Sequence, residues 1–419
     1  MSETSSYSAS QVSLGRAVNR KKALNLGSQD FAQHKYEYYT YLREHLPVAK
    51  GRVAMLKIQL VSRYADCMDL VKDPRFARNL TQINGGRRIP FPVPKSIEML
   101  ALSMIVEDDP EHRRLRNLVQ KAFAPKSLAA MQGDMENMAH TLMDAALAKG
   151  SVDLQKEYAL HIPSAVIARM IGIEYEEMPR FQNSMRVLSS GLSGWSILRT
   201  MFWDLRKTVG FLRELIARKR RDPGDDILSR LIEAEENGDQ LSENELLSML
   251  FLLIVAGYET TVHLISNGVI TLLEHPHELA RLRANPELAG SAVEEILRYL
   301  PPVQGTKMNF ARQDIEIAGV MIRQGEPVMP LLGSANRDPA MFPEPDVFDI
   351  TRDSSKHLSF SQGNHFCLGA FLARMEAKVA LQVLLERSAN LRLAVPSSDL
   401  QVAAVPGWHR YTALPVHLT

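Results

Sequence analysis

Apolar residues recur at three- and four-residue spacing through most of the chain, the periodicity of helices that bury one face. The pattern predicts helices over residues 126–150, 164–190, 204–220, 225–236, 243–273, 277–286, 288–300 and 368–388. Two-residue alternation is short and local. It predicts a strand at Val53–Val61, strands within Ile315–Leu332 separated by Gly319 and by Gln324-Gly325, and a hairpin in the late segment GWHRYTALPVHL. Strands and helices do not alternate regularly, which argues against a doubly wound sheet. The expected fold class is mainly α with a small β region (α+β), the sheet drawing on the N-terminal and C-terminal parts.

One helix stands apart. Ser242 and Glu245 offer a capping box at its start, and the run that follows is almost uniformly apolar, as a central buried helix is. The segment AGYETT, Ala256–Thr261, interrupts it with Glu259, Thr260 and Thr261. Buried polar groups are costly unless bonded, so these residues need a reason. Gly257 weakens the helix locally, and the Thr260 hydroxyl can bond back to a carbonyl one turn earlier, opening a groove.

Composition narrows the classes. The chain has 419 residues and is 45% hydrophobic, enough for a large core, and its net charge of +1 gives no sign of a nucleic-acid partner. Cys67 and Cys367 are the only cysteines, too few for a disulfide framework, and a reducing, cytoplasmic setting is expected. Residues 1–25 are polar, without an apolar signal core, and are expected to be a flexible segment before one domain at 26–419. The longest apolar run, Met249–Tyr258, falls short of the about 20 residues that span a bilayer. No GxGxxG follows a strand and no GxxxxGK[ST] occurs, so the chain carries no nucleotide or nicotinamide fingerprint.

The chemistry concentrates in FSQGNHFCLGAFLAR, Phe360–Arg374. A thiolate is a strong, soft metal ligand, stabilised by backbone N–H groups and a helix N-terminus. Gly363 permits a tight turn before Cys367, Gly369 removes a side chain just after it, and a helix starts beyond Leu368. The plain alternative for a lone cysteine is a buried structural thiol. Three more segments accompany it in order: DDPEHRRLR (Asp108–Arg116), AGYETT, and EEILR with Glu295 and Arg298. The set F-x-x-G-x-H-x-C-x-G, AGYETT, EEILR and HRRLR resembles the signatures of the cytochrome P-450 superfamily, the bacterial-type soluble haem-thiolate monooxygenases.

The resemblance implies a helical bundle enclosing haem b, with Cys367 as the axial thiolate ligand of iron. Such a ligand pushes electron density toward the metal and favours O–O cleavage. It implies that Phe360, His365 and Gly369 belong to the haem-binding loop, and that His112 and Arg116 bind propionates with His365. Glu259 and Thr260 would serve proton delivery, Ala256 and Gly257 would leave room for oxygen and substrate, and Glu295 and Arg298 would form a structural network holding the cysteine loop. Departures from the family pattern are Ser361 in place of glycine, and Asn309 and Val347 where relatives carry arginine; Lys307 and Arg352 are candidate substitutes. Val255, Val303, Gly305 and Tyr411, with loops at Thr81–Ser96 and Ser189–Trp203, are expected to line an apolar substrate pocket. The implied activity is insertion of one oxygen atom from O2 into a lipophilic substrate, by hydroxylation or epoxidation. Electrons would come from a ferredoxin or flavodoxin with its reductase, docked on a basic face of Arg113, Arg114, Lys121, Lys126, Arg374 and Lys378. A peroxygenase that uses hydrogen peroxide and a non-catalytic haem-thiolate sensor are the alternatives. The Glu259-Thr260 pair argues against both.

Overall fold

The long apolar helix organises the molecule. A computed structural model describes residues 18, 22–84, 103–120, 123, 128–177, 205–236 and 241–419. Helices of eight or more residues among these are α1 (Lys35–His45), α2 (Tyr64–Lys72), α3 (Glu111–Gln120), α4 (Gln132–Lys149), α5 (His161–Ile171), α6 (Leu205–Arg221), α7 (Ile227–Glu236), α8 (Glu243–Glu274), α9 (Pro276–Ala284), α10 (Ala289–Tyr299) and α11 (Ala370–Arg387). The capping box at Ser242 and Glu245 starts α8. By length and composition alone α8 could cross a membrane, but most of it is buried inside the fold. Its apolar surface packs against α5, α10 and α11, and together they form the main core, with Leu250, Ile254, Ile265 and Ile296 almost fully enclosed. Helix α11 runs from the cysteine loop through this core and also packs on α4.

The β region is peripheral and assembled from distant segments. Strands β1 (Leu24–Asn25), β2 (Val48–Val53), β3 (Leu56–Val61), β4 (Phe76–Ala77), β6 (Asn309–Ala311) and β9 (Pro327–Pro330) form one sheet in the order β1-β2-β3-β9-β6-β4. The β1–β2 and β3–β9 pairs are parallel and the others antiparallel. Strand β5 (Ser151–Asp153) pairs with β11 (Pro415–His417), which also pairs with β10 (Arg392–Leu393); β7 (Ile315–Ile317) and β8 (Val320–Ile322) make a hairpin. The mainly α class with a small β region is the one the periodicity predicts.

Three elements differ from the prediction. Val53–Val61 is not one strand, because Ala54 turns at φ 51° and joins two strands of a hairpin. The helix expected over 164–190 ends at Ile171, where Gly172 adopts a left-handed φ of 73°. GWHRYTALPVHL is not a hairpin: Trp408 and Tyr411 make isolated bridges to Val303 and Val402, and only Pro415–His417 is a strand. Residues 1–17, 121–122, 124–127 and 178–204 lie outside the described residues, and so do Lys121, Lys126, the loop Ser189–Trp203 and most of Thr81–Ser96.

Candidate active site at the cysteine loop

The loop is shaped before Cys367 is reached. The Leu358 carbonyl accepts from the Ser361 N–H at 2.7 Å, and Ser361 sits at φ 60°. A left-handed residue strains any side chain, which explains why glycine suits this position. Gly363, at φ 71°, lets the chain lie against α2: a Cβ there would meet the Val71 carbonyl at 3.0 Å. A single 3-10 turn, Gly363–His365, follows, and the Cys367 N–H closes the loop onto the Phe360 carbonyl at 2.9 Å. The Arg374 guanidinium lies 4.5 Å from the centroid of the Phe360 ring, which also packs beside His357 and Phe366. Gly369 caps α11 and a Cβ there would meet nothing within 4 Å, so a flat group could approach the backbone beside the thiol.

Charge then distinguishes the two cysteines. Burial pushes the Cys367 thiol up, while the Gly369 N–H and the charges of Arg116 and Arg374 pull it back. Cys67 is fully buried, its Sγ donates to the Val61 carbonyl at 3.2 Å, and burial drives its pKa far above the ordinary value. Only Cys367 has cationic groups poised to favour a thiolate.

Basic side chains from four segments gather around His365 in the loop before Cys367. The His112 and His365 ring centroids are 4.1 Å apart. Burial first, then the charges of Arg78, His112 and Arg116, hold His365 down to about 2. Burial lowers Arg116, with Cys367 opposing; burial lowers Arg78 to about 10, with Asp108 opposing. Burial and Arg78 lower Lys307. Lys307 is exposed by surface area and Cys367 half-exposed, yet burial dominates both, so the surface they present faces an internal recess rather than bulk water. Asp108 spends its oxygens on the backbone N–H groups of Arg78 and Asn79, and Asp109 serves Arg113, His112 and Asn364. Asp109 answers His112 and Asp108 acts on Arg78, while among the described residues no carboxylate pairs with Arg116, Lys307 or His365. Haem brings two propionates, and the residues present fit it.

The polar break in α8 is tied to α11, the helix that starts at the cysteine loop. Ala256 is exposed, and the Thr260 hydroxyl donates to its carbonyl at 2.7 Å. Gly257 faces the other way: a Cβ there would meet Ile167 of α5 at 3.0 Å. Its smallness serves the approach of two helices rather than room for oxygen. Glu259 forms an ion pair with Arg410, and Thr261 hydrogen-bonds Glu376 of α11. Burial raises Glu376 to about 8, with the Thr261 hydrogen bond opposing, so this carboxyl is protonated at neutral pH.

The family model for cytochrome P450 matches residues 66–389, more than half of the chain. The chain belongs to the cytochrome P450 family. Cytochrome P450 107B1 of Saccharopolyspora erythraea is 40% identical over 380 residues, covering 88% of this chain and 92% of that protein. The myxobacterial cytochrome P450 CYP267B1, solved in complex with myristic acid, superimposes with a TM-score of 0.89 at 35% identity, covering 94% and 98% of the two chains. P450BioI, solved with an acyl carrier protein ligated to hexadec-9Z-enoic acid, superimposes at 0.84 and 37% identity, covering 93% and 100%. This P450 is accordingly a haem-dependent monooxygenase that uses haem b with a cysteine thiolate and takes electrons from a redox partner to oxygenate lipophilic molecules.

Other expected residues of the P450 fall where the motifs led, with exceptions. Glu295 and Arg298 are fully buried and paired at 2.7 Å; Ser354 Oγ and the Asp349 N–H also donate to Glu295. Arg352 reaches Glu295 at 3.5 Å and donates to the Val347 carbonyl at 3.3 Å, so it occupies the network that Val347 leaves short. Asn309 turns to Thr306 and the Lys307 carbonyl, away from the basic cluster. Of the expected pocket residues, Val303 and Gly305 lie beside the Gly407–Trp408 segment. Gly305 is buried with Met329 Sδ 2.8 Å from where its Cβ would stand, so it serves packing. Tyr411 lies in the field of Glu274, at the far end of α8, about 20 Å along the axis from Thr260. Val255 and Val303 are half-buried. A groove of about 380 Å³ lined by Met131, Met135 and Arg169 contains none of the site residues.

The basic docking face is also reduced. Arg374 forms a bidentate pair with Glu294 at 2.5 and 2.9 Å, which ties α10 to α11 beside Cys367. Although burial opposes it, hydrogen bonds from His357 and Arg374 hold Glu294 down to about 2. Arg114 is paired with Glu111 and Glu245. Arg113 is paired with Asp109 at 2.8 Å but remains 72% exposed. Sequence reading missed Arg78, Glu294, Glu376 and Arg410. Arg78 and Arg410 lie in irregular segments with no periodicity to read, but Glu376 was visible as a lone carboxylate on an apolar helix.

Proposed function

We propose that Cys367 is the axial thiolate of this P450 and that Arg78, His112, Arg116, Lys307 and His365 hold the haem propionates. The carrying observation is the surplus of desolvated positive charge around the one cysteine placed at a helix start. Haem, when bound, supplies the chemistry that splits dioxygen and inserts one atom into a C–H or C=C bond. The chain's own residues do the rest. Gly369 lets the backbone approach the group, Ala256 leaves the recess open, and Thr260 and Glu259 hold and move protons on the α8 wall. The functional unit is residues 26–419 in the cytoplasm. A ferredoxin or flavodoxin with its reductase is the electron source, and among the described residues of the expected basic face Arg113 and Lys378 remain to meet it. The substrate is a lipophilic acyl chain or a molecule of similar bulk; relatives solved with myristic acid and with an acyl-loaded carrier support this class.

The reduced, carbon-monoxide-treated spectrum tests the ligand. Wild type and Cys67→Ser are expected to give a strongly red-shifted Soret band, and Cys367→Ser to lose it while still binding haem. A red-shifted band that survives in Cys367→Ser overturns the assignment.

A further inference from the structure

The polar residues of α8 do not end at AGYETT. Glu259, His263 and Asn267 are spaced by four and share one face of the helix. Each is about 6 Å from the next along the axis. His263 is 5% exposed and Asn267 fully buried, although the helix around them is apolar. The segment Trp408–Arg410 covers this stripe. Arg410 pairs with Glu259, the Trp408 ring lies 6.5 Å from that of His263, and Asn267 Nδ2 donates to the His409 carbonyl at 3.2 Å. The enclosed side chains are not all satisfied. His263 Nδ1, Asn267 Oδ1 and both ring nitrogens of His409 have no partner among the described residues. Four orphaned polar atoms at one place mark a site for internal water, because buried polar groups are bonded to protein or to ordered water.

We propose that the Glu259–His263–Asn267 stripe, roofed by Trp408–Arg410, is a hydrated internal route that returns protons from solvent to Glu259. The proposal rests on the monooxygenase reading above and adds the path to its proton-carrying wall. His263 is held down to about 3 by burial and by the Arg410 charge, and His409 far below its ordinary value by burial, Lys35, His263 and Arg337. Both rings are therefore neutral, each able to donate from one nitrogen and accept at the other. Lys35 closes the outer end. Its Nζ donates to the Trp408 carbonyl at 2.5 Å, and it lies between exposed His34 and Glu37. Burial lowers it to about 7, and the side chain is 2% exposed. The balance is simple: one proton from bulk water reaches the Glu259 carboxylate along the chain of hydrogen bonds, and Glu259 passes one proton toward Thr260, ending again as the carboxylate paired with Arg410. Arg410 is a positioning residue that fixes the carboxylate at the inner end.

Two measurements test the route. A high-resolution crystal structure of the haem-loaded protein is expected to show ordered waters within hydrogen-bond distance of His263 Nδ1, Asn267 Oδ1 and the His409 ring. A dry, apolar contact at those atoms overturns the proposal without touching the haem assignment. The second measurement uses His263→Leu and Asn267→Leu, with His263→Gln as the conservative variant. The leucine variants are expected to keep the carbon monoxide band. They are expected to lose about tenfold or more in product formed per reducing equivalent, with a raised solvent isotope effect. His263→Gln is expected to recover most of the coupling. Leucine variants that are only less stable, with coupling and isotope effect unchanged, overturn the route and leave the stripe structural. Loss of the carbon monoxide band in wild type would instead strike the haem-thiolate reading itself.

Discussion

Two clusters of buried charge in this P450 are built on opposite principles. In the Glu295–Arg298 network every charge has its answer inside the protein. Both Glu295 oxygens accept from Arg298, and Ser354 and the Asp349 N–H complete them. The remaining Arg298 protons go to the carbonyls of Asn336, Pro345 and Val347. In the second cluster, Arg78, His112, Arg116, Lys307 and His365 are all lowered, with burial the largest cause each time. A closed network fixes backbone; an open surplus of one sign marks where a ligand of the other sign belongs.

The largest effect should come from unbalancing the closed network. Glu295→Gln leaves Arg298 buried without its counter-charge, and removing one partner of a buried pair costs about 3–5 kcal/mol. The urea midpoint of the haem-free protein and of the loaded protein should fall together. A loss confined to the loaded protein would mean that the network belongs to the ligand site, and the contrast would fail.

Glu376 tests a third way of burying charge, which is to neutralise it. Burial holds its carboxyl at about 8 in the fold, well above the ordinary glutamate value of 4.5. The folded state therefore binds more protons than the unfolded state between those values, and stability falls as pH rises through that window. Glu376→Gln removes the penalty. It should stabilise the protein on the order of 2 kcal/mol at pH 8, with the gain shrinking to nothing near pH 4.5. Thermal melts of both proteins across that range are the check. A loss of stability in Glu376→Gln that grows as pH rises would mean that Glu376 is ionised in the fold and has a partner.

The sequence carried the two clusters unequally. Glu295 and Arg298 lie three apart on one helix, and the cysteine loop is a contiguous run, so short-range spacing was enough to find them. The unbalanced cluster draws on Arg78, α3, Lys307 and the 3-10 turn before Cys367, and only His112–Arg116 had a spacing to read. The sheet was legible where Gly319 and Gln324-Gly325 punctuate it, and illegible where Ala54 turns without glycine. Two glycines mislead for a different reason: Gly305 and Gly257 read as openings, but a glycine admits a neighbouring side chain as readily as a ligand, and Met329 and Ile167 fill those positions.

The smallest effect is the most discriminating, because its sign should reverse. Arg116→Met takes one desolvated positive charge out of a cluster that has too many. In the haem-free protein this should leave stability unchanged or raise it by about 1 kcal/mol, since a poorly compensated charge no longer has to leave water. In the loaded protein the same substitution removes a charge-assisted partner for a carboxylate, worth about 1.5–3 kcal/mol, and haem retention should fall by tenfold or more. Haem transfer to apomyoglobin, followed alongside urea melts of both forms, reads the two signs separately. A network built like Glu295–Arg298 would lose stability in both forms. A solvent-facing arginine would change neither. Only a surplus held open for an anionic cofactor gains when empty and loses when full.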